Sequence, residues 1–159
     1  MTYEEMSKFT HEELSNFSHL ELSLKSTELL KNLINDFRDD IPSGIIIKLE
    51  RISKNFITSC ENNNIEIPSE IAGLKSKKHL TVIDIISILG SIASLISLAM
   101  SMFSSNNKTI NNTYINQITN YVITEEYTTN IDTIINELEQ TYNISINIED
   151  TFNDSNSEN

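Results

Sequence analysis

The sequence has little glycine, proline or cysteine. Its 3 glycines and 2 prolines in 159 residues are far below the usual shares of about 7% and 5%. This scarcity argues against a glycine-rich phosphate loop and against a barrel built from many tight turns. The single cysteine, Cys60, excludes an internal disulfide and a zinc site made of several thiolates. By length, the chain has room for one or two small modules.

Positive charge is also scarce, with 11 basic against 23 acidic residues and a net charge of −12. Binding to a phosphate backbone depends on basic groups that release counterions, so we expect no nucleic acid partner. The sequence contains no phosphate loop, no H-E-x-x-H, no G-x-S-x-G and no C-x-x-C. We therefore expect no enzymatic activity, no cofactor and no metal. His11 and His19 are interpreted as solvated helix-start residues, and Cys60 as a core residue.

An eight-residue repeat occupies residues 1–34, and two of its copies read HEELSNFS from His11 and HLELSLKS from His19. A hydroxyl residue stands three positions before a glutamate in three places, at Thr2 and Glu5, at Thr10 and Glu13, and at Ser18 and Glu21. This is the capping-box spacing of a helix start. Eight residues are about 80° out of phase with two helical turns. The pattern predicts short capped helices that restart, and a docking surface for an unidentified protein partner.

Residues 35–74 have ordinary helical patterning. The Asp39 to Pro42 stretch ends a first helix, and Ser43 is placed to cap a second one. Apolar residues then recur at helical spacing as far as Cys60, and Glu61 to Asn64 end the helix. These features predict a helical hairpin, which we assign to a cytoplasmic module.

The longest apolar segment has 19 residues without a charge, from Ile85 to Phe103. As a helix it spans about 28 Å, close to the roughly 30 Å of a bilayer core. Ten of the 11 basic residues precede this segment. Residues 75–104 therefore predict a basic flank and a single transmembrane helix in the cell membrane, with lipid as a partner. By the positive-inside rule, the N-terminus is cytoplasmic and the C-terminus outside, with the topology set by Lys75, Lys77 and Lys78.

Small residues recur every three or four positions within this segment, so they share one face of the helix. They are Ser87, Gly90, Ser91, Ser94, Ser97 and Ser101. In lipid, such a face lets helix backbones approach closely, so it predicts a homo-oligomer formed through the transmembrane helix. Two alternatives stay open: the serines line an aqueous pore, or they bond to their own helix carbonyls and face lipid without further effect.

Residues 105–149 form an acidic, Asn- and Thr-rich segment that predicts a small α/β module. Residues 109–128 are compatible with a strand or a helix. Asn130 is placed to cap a short helix that contains Ile131, Ile134, Ile135 and Leu138. Tyr142, Ile144, Ile146 and Ile148 alternate with polar residues, which predicts a half-buried strand. We expect residues 150–159 to be a disordered tail.

Together these patterns predict a mainly α fold. It comprises short capped helices, a helical hairpin, one transmembrane helix and a small strand-helix-strand segment. The function that fits best is a single-pass membrane protein acting as a tethered, self-associating interaction or scaffold module. One alternative is a membrane-permeabilising protein, holin-like or toxin-like, with a serine-lined helix. Another is a soluble helical protein in which residues 82–103 are a buried core helix.

Overall fold

The computed structural model of the protein describes residues 11–103, 117–118 and 125–144. These residues form helices and include no strand. The four long helices are α1 (His11–Asp36), α2 (Ser43–Asn62), α4 (Val82–Phe103) and α5 (Glu125–Tyr142). Between α2 and α4 lie the single turn α3 (Ser69–Ala72) and a 3₁₀ turn (Gly73–Ser76). Predictions for residues 1–10, for most of 104–124 and for the 150–159 tail lie outside the described residues.

The predicted packing of α1 against α2 in a hairpin is not shown, because both helices pack mainly on α4. Helix α2 itself forms as predicted, although Ser43 does not cap it. Pro42 occupies the position before the helix, with φ −56° and ψ 140°, and no side chain bonds there. The Pro42 carbonyl accepts the first helical bond, from the Ile46 N–H at 3.1 Å. Pro68 does the same before α3, where its carbonyl accepts from the Ala72 N–H at 3.0 Å. Proline suits these sites because its fixed φ leads into a helix and needs no N–H.

Asparagine ends two of the helices in this glycine-poor chain. Asn64 and Asn143 adopt positive φ values of 54° and 52°. The following residue then bonds back across the last turn, with Ile65 N–H to the Cys60 carbonyl and Ile144 N–H to the Glu139 carbonyl, both at 2.9 Å. This is the Schellman arrangement, in which the left-handed residue is usually glycine and sometimes asparagine. It satisfies carbonyls that α2 and α5 would otherwise leave unpaired.

The prediction of short restarting helices is wrong for residues 11–36, because α1 is one continuous helix of 26 residues. Its buried positions recur at helical spacing: Leu20, Ser23, Ser26, Thr27, Leu30, Leu33 and Ile34. Three of these residues are polar, so the buried face of α1 does not stand out as an apolar pattern in the sequence. Ser18, interpreted as a helix start, instead lies exposed within the helix.

The contacts between helices define their directions. Phe37 stacks on Tyr142 with ring centroids 3.9 Å apart, and Thr27 bonds Tyr127, so α5 runs parallel to α1. The linker after α2 folds back along that helix, since the Leu80 N–H donates to Glu50 at 3.0 Å. Leu95 and Leu98 lie beside residues 64–69, so α4 then runs parallel to α2. Helix α4 packs mainly on α1 and also on α2.

A single hydrophobic core holds the bundle together. From α4 it includes Ile85, Ile88, Leu89, Ile92, Leu95, Ile96 and Ala99. Facing them are residues of the other long helices, among them Leu30, Ile34, Leu49, Phe56, Ile131 and Leu138. Cys60, predicted to be a core residue, is completely buried. Helix α4 is thus the central apolar element of the described structure.

A polar seam joins α1 to α5 beside this core. Thr27 and the Tyr127 hydroxyl are 2.7 Å apart in a fully buried hydrogen bond. One turn earlier, Ser23 bonds Thr128 at 3.1 Å, and Ser26 donates to Asp132 at 3.2 Å. Because buried hydroxyls need partners, these pairs fix the register of α5 against α1.

The predicted strand-helix-strand segment is not supported in the described residues. Helix α5 begins at Glu125, so Asn130 lies inside the helix and does not cap it. Tyr142 belongs to the last turn, where its hydroxyl donates to the Asp40 carbonyl at 2.7 Å. Tyr142 lies at the end of α5 and Ile144 lies just after it. Their spacing of two residues therefore comes from the helix end and not from a strand. Ile146 and Ile148 lie outside the described residues.

Because α4 has a buried and an exposed side, substitutions at neighbouring positions should change the free energy of unfolding by very different amounts. Ile92→Ala removes a fully buried side chain and should cost about 2–5 kcal/mol of unfolding free energy. Ser94→Ala changes an exposed side chain and should stay within about 0.5 kcal/mol. Urea denaturation followed by circular dichroism measures both. Equal effects would contradict the packing of α4.

The polar seam predicts an energetic coupling between α1 and α5. Thr27→Val removes the partner of the buried Tyr127 hydroxyl and should destabilise the fold by about 1–2 kcal/mol. Adding Tyr127→Phe removes the other half of the pair, so the double variant should lose less than the sum of the two single variants. A double-mutant cycle in urea checks this. Strict additivity would show that the two hydroxyls do not interact.

Candidate functional site

The start of α4 is fixed by a reciprocal cap. The Asp84 N–H donates to the Thr81 hydroxyl at 3.1 Å, and the Thr81 N–H donates to the Asp84 carboxylate at 3.0 Å. This is a capping box, which satisfies two amides that a helix start leaves unpaired. Lys77 donates to the same carboxylate at 2.7 Å. The Lys77 hydrogen bond and the Thr81 amide lower the pKa of Asp84 below its ordinary value.

The basic flank before α4 is largely paired with acidic side chains. Lys75 binds Glu61 at 2.8 Å, and Lys77 binds Asp84 at 2.7 Å. Lys78 is exposed and has no ion pair among the described residues. Two of the three lysines predicted to set a membrane topology therefore also tie the linker to α2 and α4. Their role in topology stays a prediction.

The six small residues predicted to form a helix interface lie on the outer side of α4, away from the core. Ser87, Ser94, Ser97 and Ser101 are exposed, and Gly90 and Ser91 are half-buried. The six residues share one face of α4, and no other helix of the described part of the chain covers this face. Two large apolar residues share this face, with Ile83 59% and Leu98 45% exposed. We call these eight residues the outer face of α4.

The outer face is uncharged and leaves room for another backbone. A Cβ atom added at Gly90 would meet nothing within 4 Å, so packing inside the bundle does not require glycine there. The Ser87 hydroxyl donates to the Ile83 carbonyl at 3.0 Å, which is the self-bonding that serines adopt within helices. The face therefore offers small side chains, one of them already bonded to its own helix.

The other sequence candidates for chemistry do not form a reactive site. Burial raises the pKa of the Cys60 thiol to about 11, with the neighbouring Glu61 adding to the effect, so the thiol stays protonated near neutral pH. Burial also raises the pKa of the Tyr127 hydroxyl. Within the described residues, no three His, Cys, Asp or Glu side chains are grouped to hold a metal ion.

Two concave regions were not anticipated from the sequence. A pocket of about 200 Å³ lies between α2 and α5, and a groove of about 830 Å³ lies beside the outer face. Lys48, Arg51, Ile52, Asn130, Thr133 and Ile134 line the pocket. The groove has Ile65, Ile67 and Pro68 on one wall and Leu95 and Leu98 on the other. Both form between segments that are distant in sequence, so no local pattern could have revealed them.

The prediction that one helix is suited to a membrane is confirmed in its general form. Residues Val82–Met102 are long and apolar enough to cross a bilayer. The same length and composition occur in core helices of soluble proteins, and 44% of this segment is buried inside the bundle. Comparisons with protein-family models, curated proteins and solved structures found no match.

The lowered pKa of Asp84 predicts how acid acts on the start of α4. A group with a lowered pKa in the fold stabilises it above its ordinary pKa and loses that contribution as the pH falls through the lowered value. Asp84→Asn removes the titrating group and the ion pair to Lys77. The variant should therefore be less stable at pH 7 and should lose less stability than the wild type on acidification from about pH 5 to pH 2.

Urea denaturation at a series of pH values measures this difference. Glu66→Gln, a change of the same kind at an exposed position, is the control. Parallel pH profiles for Asp84→Asn and the wild type would contradict the assignment.

Proposed function

We propose that this protein is a non-enzymatic helical interaction module that self-associates in aqueous solution through the outer face of α4. The observation that carries the proposal is the division of α4 into two sides. Large side chains such as Ile88 and Ile92 are buried in the bundle, and small ones such as Ser94 and Ser97 are exposed. The result is a long exposed face without charge on a chain whose net charge is −12.

The charge distribution supports a second copy as the partner. Two chains of net charge −12 repel each other over most of their surfaces. A contact between copies is therefore least costly where charged groups are absent. The sequence has no charged residue from Ile85 to Phe103. A two-fold symmetric contact would bring the outer faces of two α4 helices together, as in isologous dimers.

The spacing of the outer face supports helix-on-helix packing. Ile83, Ser87, Gly90, Ser94, Ser97 and Ser101 follow one another at alternating steps of four and three residues. This alternation keeps a stripe facing a partner helix in left-handed helix pairs. Small side chains along the stripe shorten the distance between helix axes. Ile83 and Leu98, which are 59% and 45% exposed, add apolar area at its edge.

The energetics favour α4 inside the bundle over α4 in a bilayer. If α4 withdrew, core side chains such as Leu30, Ile34 and Leu49 would lose their cover. Exposing three side chains of this kind costs roughly 5–9 kcal/mol. The apolar residues of α4 supply about 3–5 kcal/mol for insertion, before the unfavourable terms for the serines. This comparison supports the aqueous bundle as the setting of α4 in our proposal.

The second candidate function is the membrane-tethered scaffold, and the span-length segment Val82–Met102 is the observation that favours it. Here α4 crosses the cell membrane with the N-terminus in the cytoplasm, and the outer face packs against another copy within lipid. Both functions use the same small residues but differ in what surrounds them. The permeabilising alternative, with serines lining a pore, stays a prediction from the sequence.

Charge placed on the outer face tests the proposal. Ser94→Glu with Ser97→Glu adds two negative charges at exposed positions, so the bundle should keep its stability within about 0.5 kcal/mol per site. Self-association should weaken by at least about tenfold, because like charges would meet across the contact. Sedimentation equilibrium of the purified full chain without detergent measures the dissociation constant.

Ser15→Glu with Ser18→Glu is the matched control, since it places the same charges at the same spacing on exposed positions of α1. It should associate like the wild type. A wild type that stays monomeric at high concentration, or two double variants that associate equally, would overturn the proposal. A chain that requires detergent, and whose insertion is abolished by the two glutamates, would instead support the membrane scaffold. Each glutamate inside a bilayer costs about 2.5–3.5 kcal/mol.

A further inference from the structure

Arg51 differs from most lysines of the described structure in having no carboxylate partner there. Five lysines are paired with carboxylates at 2.5–3.7 Å: Lys25, Lys48, Lys54, Lys75 and Lys77. Arg51 has neither an ion pair nor a hydrogen bond to another side chain in the part of the chain that the structure describes. Its guanidinium carries up to five donors in a planar fork and stays charged at all relevant pH values.

Arg51 lines the pocket of about 200 Å³ between α2 and α5. Lys48 lies one turn before it on α2, and Asn130 and Thr133 line the pocket from α5. These four residues are exposed and form a polar rim. Ile52 and Ile134, which are 9% and 1% exposed, form an apolar floor.

We propose that this pocket binds a small organic carboxylate, with the carboxylate at Arg51 and the apolar part of the molecule on Ile52 and Ile134. The Lys48 charge is balanced by Glu137 at 2.5 Å, so among the described residues that line the pocket Arg51 carries the one positive charge without a paired carboxylate. An arginine fork matches a carboxylate through two parallel hydrogen bonds. The Asn130 amide adds further donors at the rim.

The apolar floor and the size of the pocket define the class of ligand. Inorganic phosphate would cover Ile52 and Ile134 with a strongly hydrated group, and it would gain nothing from them. A carboxylic acid with a short aromatic or aliphatic part removes this floor from water. Sites for drug-sized ligands have about 300–1,000 Å³, so a pocket of about 200 Å³ suits a smaller acid. This inference does not depend on the proposed function, because the pocket does not include the outer face of α4.

Benzoate is a suitable probe, and inorganic phosphate at the same ionic strength is the comparison. Each is titrated into the isotope-labelled full chain, and amide chemical shifts are recorded by NMR. Benzoate should give saturable shifts confined to residues near 48–52 and 130–134. Arg51→Gln should weaken benzoate binding by about tenfold, the loss expected for one charge-assisted pair. Lys78→Gln, which removes an exposed lysine without an ion pair, should bind benzoate like the wild type.

Three outcomes would overturn the proposal. The first is the absence of saturable shifts with benzoate. The second is equal binding by the wild type and Arg51→Gln. The third is equal binding of phosphate and benzoate, which would show that the apolar floor contributes nothing. Because Arg51 is exposed, the variant should remain folded, and its circular dichroism spectrum and unfolding midpoint verify this.

Discussion

The packing of the inner face of α4 against α1 determines how the rest of the bundle is arranged. A run of 19 residues without charge has to be shielded from water on at least its larger side chains. Helix α1 covers α4 most closely and contacts α5 as well, so it needs a wide buried surface. Leucines and Ile34 supply the apolar part of that surface, and Ser23, Ser26 and Thr27 supply the polar seam to α5. Removing α4 would expose the apolar surfaces of α1 and α2 that pack against it.

The composition of α4 explains why the sequence is compatible both with a membrane location and with a helical bundle in water. A helix that crosses a bilayer alone is expected to be apolar around its circumference, whereas a core helix at a protein surface has one polar face. In α4 the polar face consists of serines instead of charged residues. Its average composition therefore resembles a membrane span, and its pattern resembles the amphipathic helix of a bundle. Serine tolerates both environments because its hydroxyl can bond to its own helix, as Ser87 does.

Much of the helical core could be predicted from local patterns, and the errors have physical causes. The apolar spacing from Ile45 to Cys60 predicted α2 correctly, since apolar residues fill its core positions. It failed for α1, where Ser23, Ser26 and Thr27 occupy core positions and a repeat of eight residues suggested breaks. The end of α5 carried a usable signal, because Asn143 before Ile144 repeats the Asn64-Ile65 pair that ends α2.

The candidate sites were predictable only in part. The outer face of α4 followed from spacing alone, since its small residues recur every three or four positions. Which side of α4 is covered, and by what, depends on α1, which ends 46 residues before α4 begins. The pairing of Lys75 and Lys77 with acids and the free Arg51 likewise result from contacts between helices. Such contacts cannot be predicted from a single sequence, because the apolar spacing of a helix does not indicate which other helix it packs against.

We infer that α4 has one side facing the core and one side facing water. Cysteine accessibility along α4 tests it most directly, with single cysteines at positions 92, 94, 96 and 97 in a Cys60→Ala background. The rates of reaction with a water-soluble maleimide are measured on the full chain without detergent, diluted below the dissociation constant of the proposed self-association so that no second copy covers the outer face. We expect fast reaction at positions 94 and 97, which are exposed, and slow reaction at positions 92 and 96, which are buried. Uniformly slow reaction at all four positions, in a chain recovered with the membrane fraction, would contradict it.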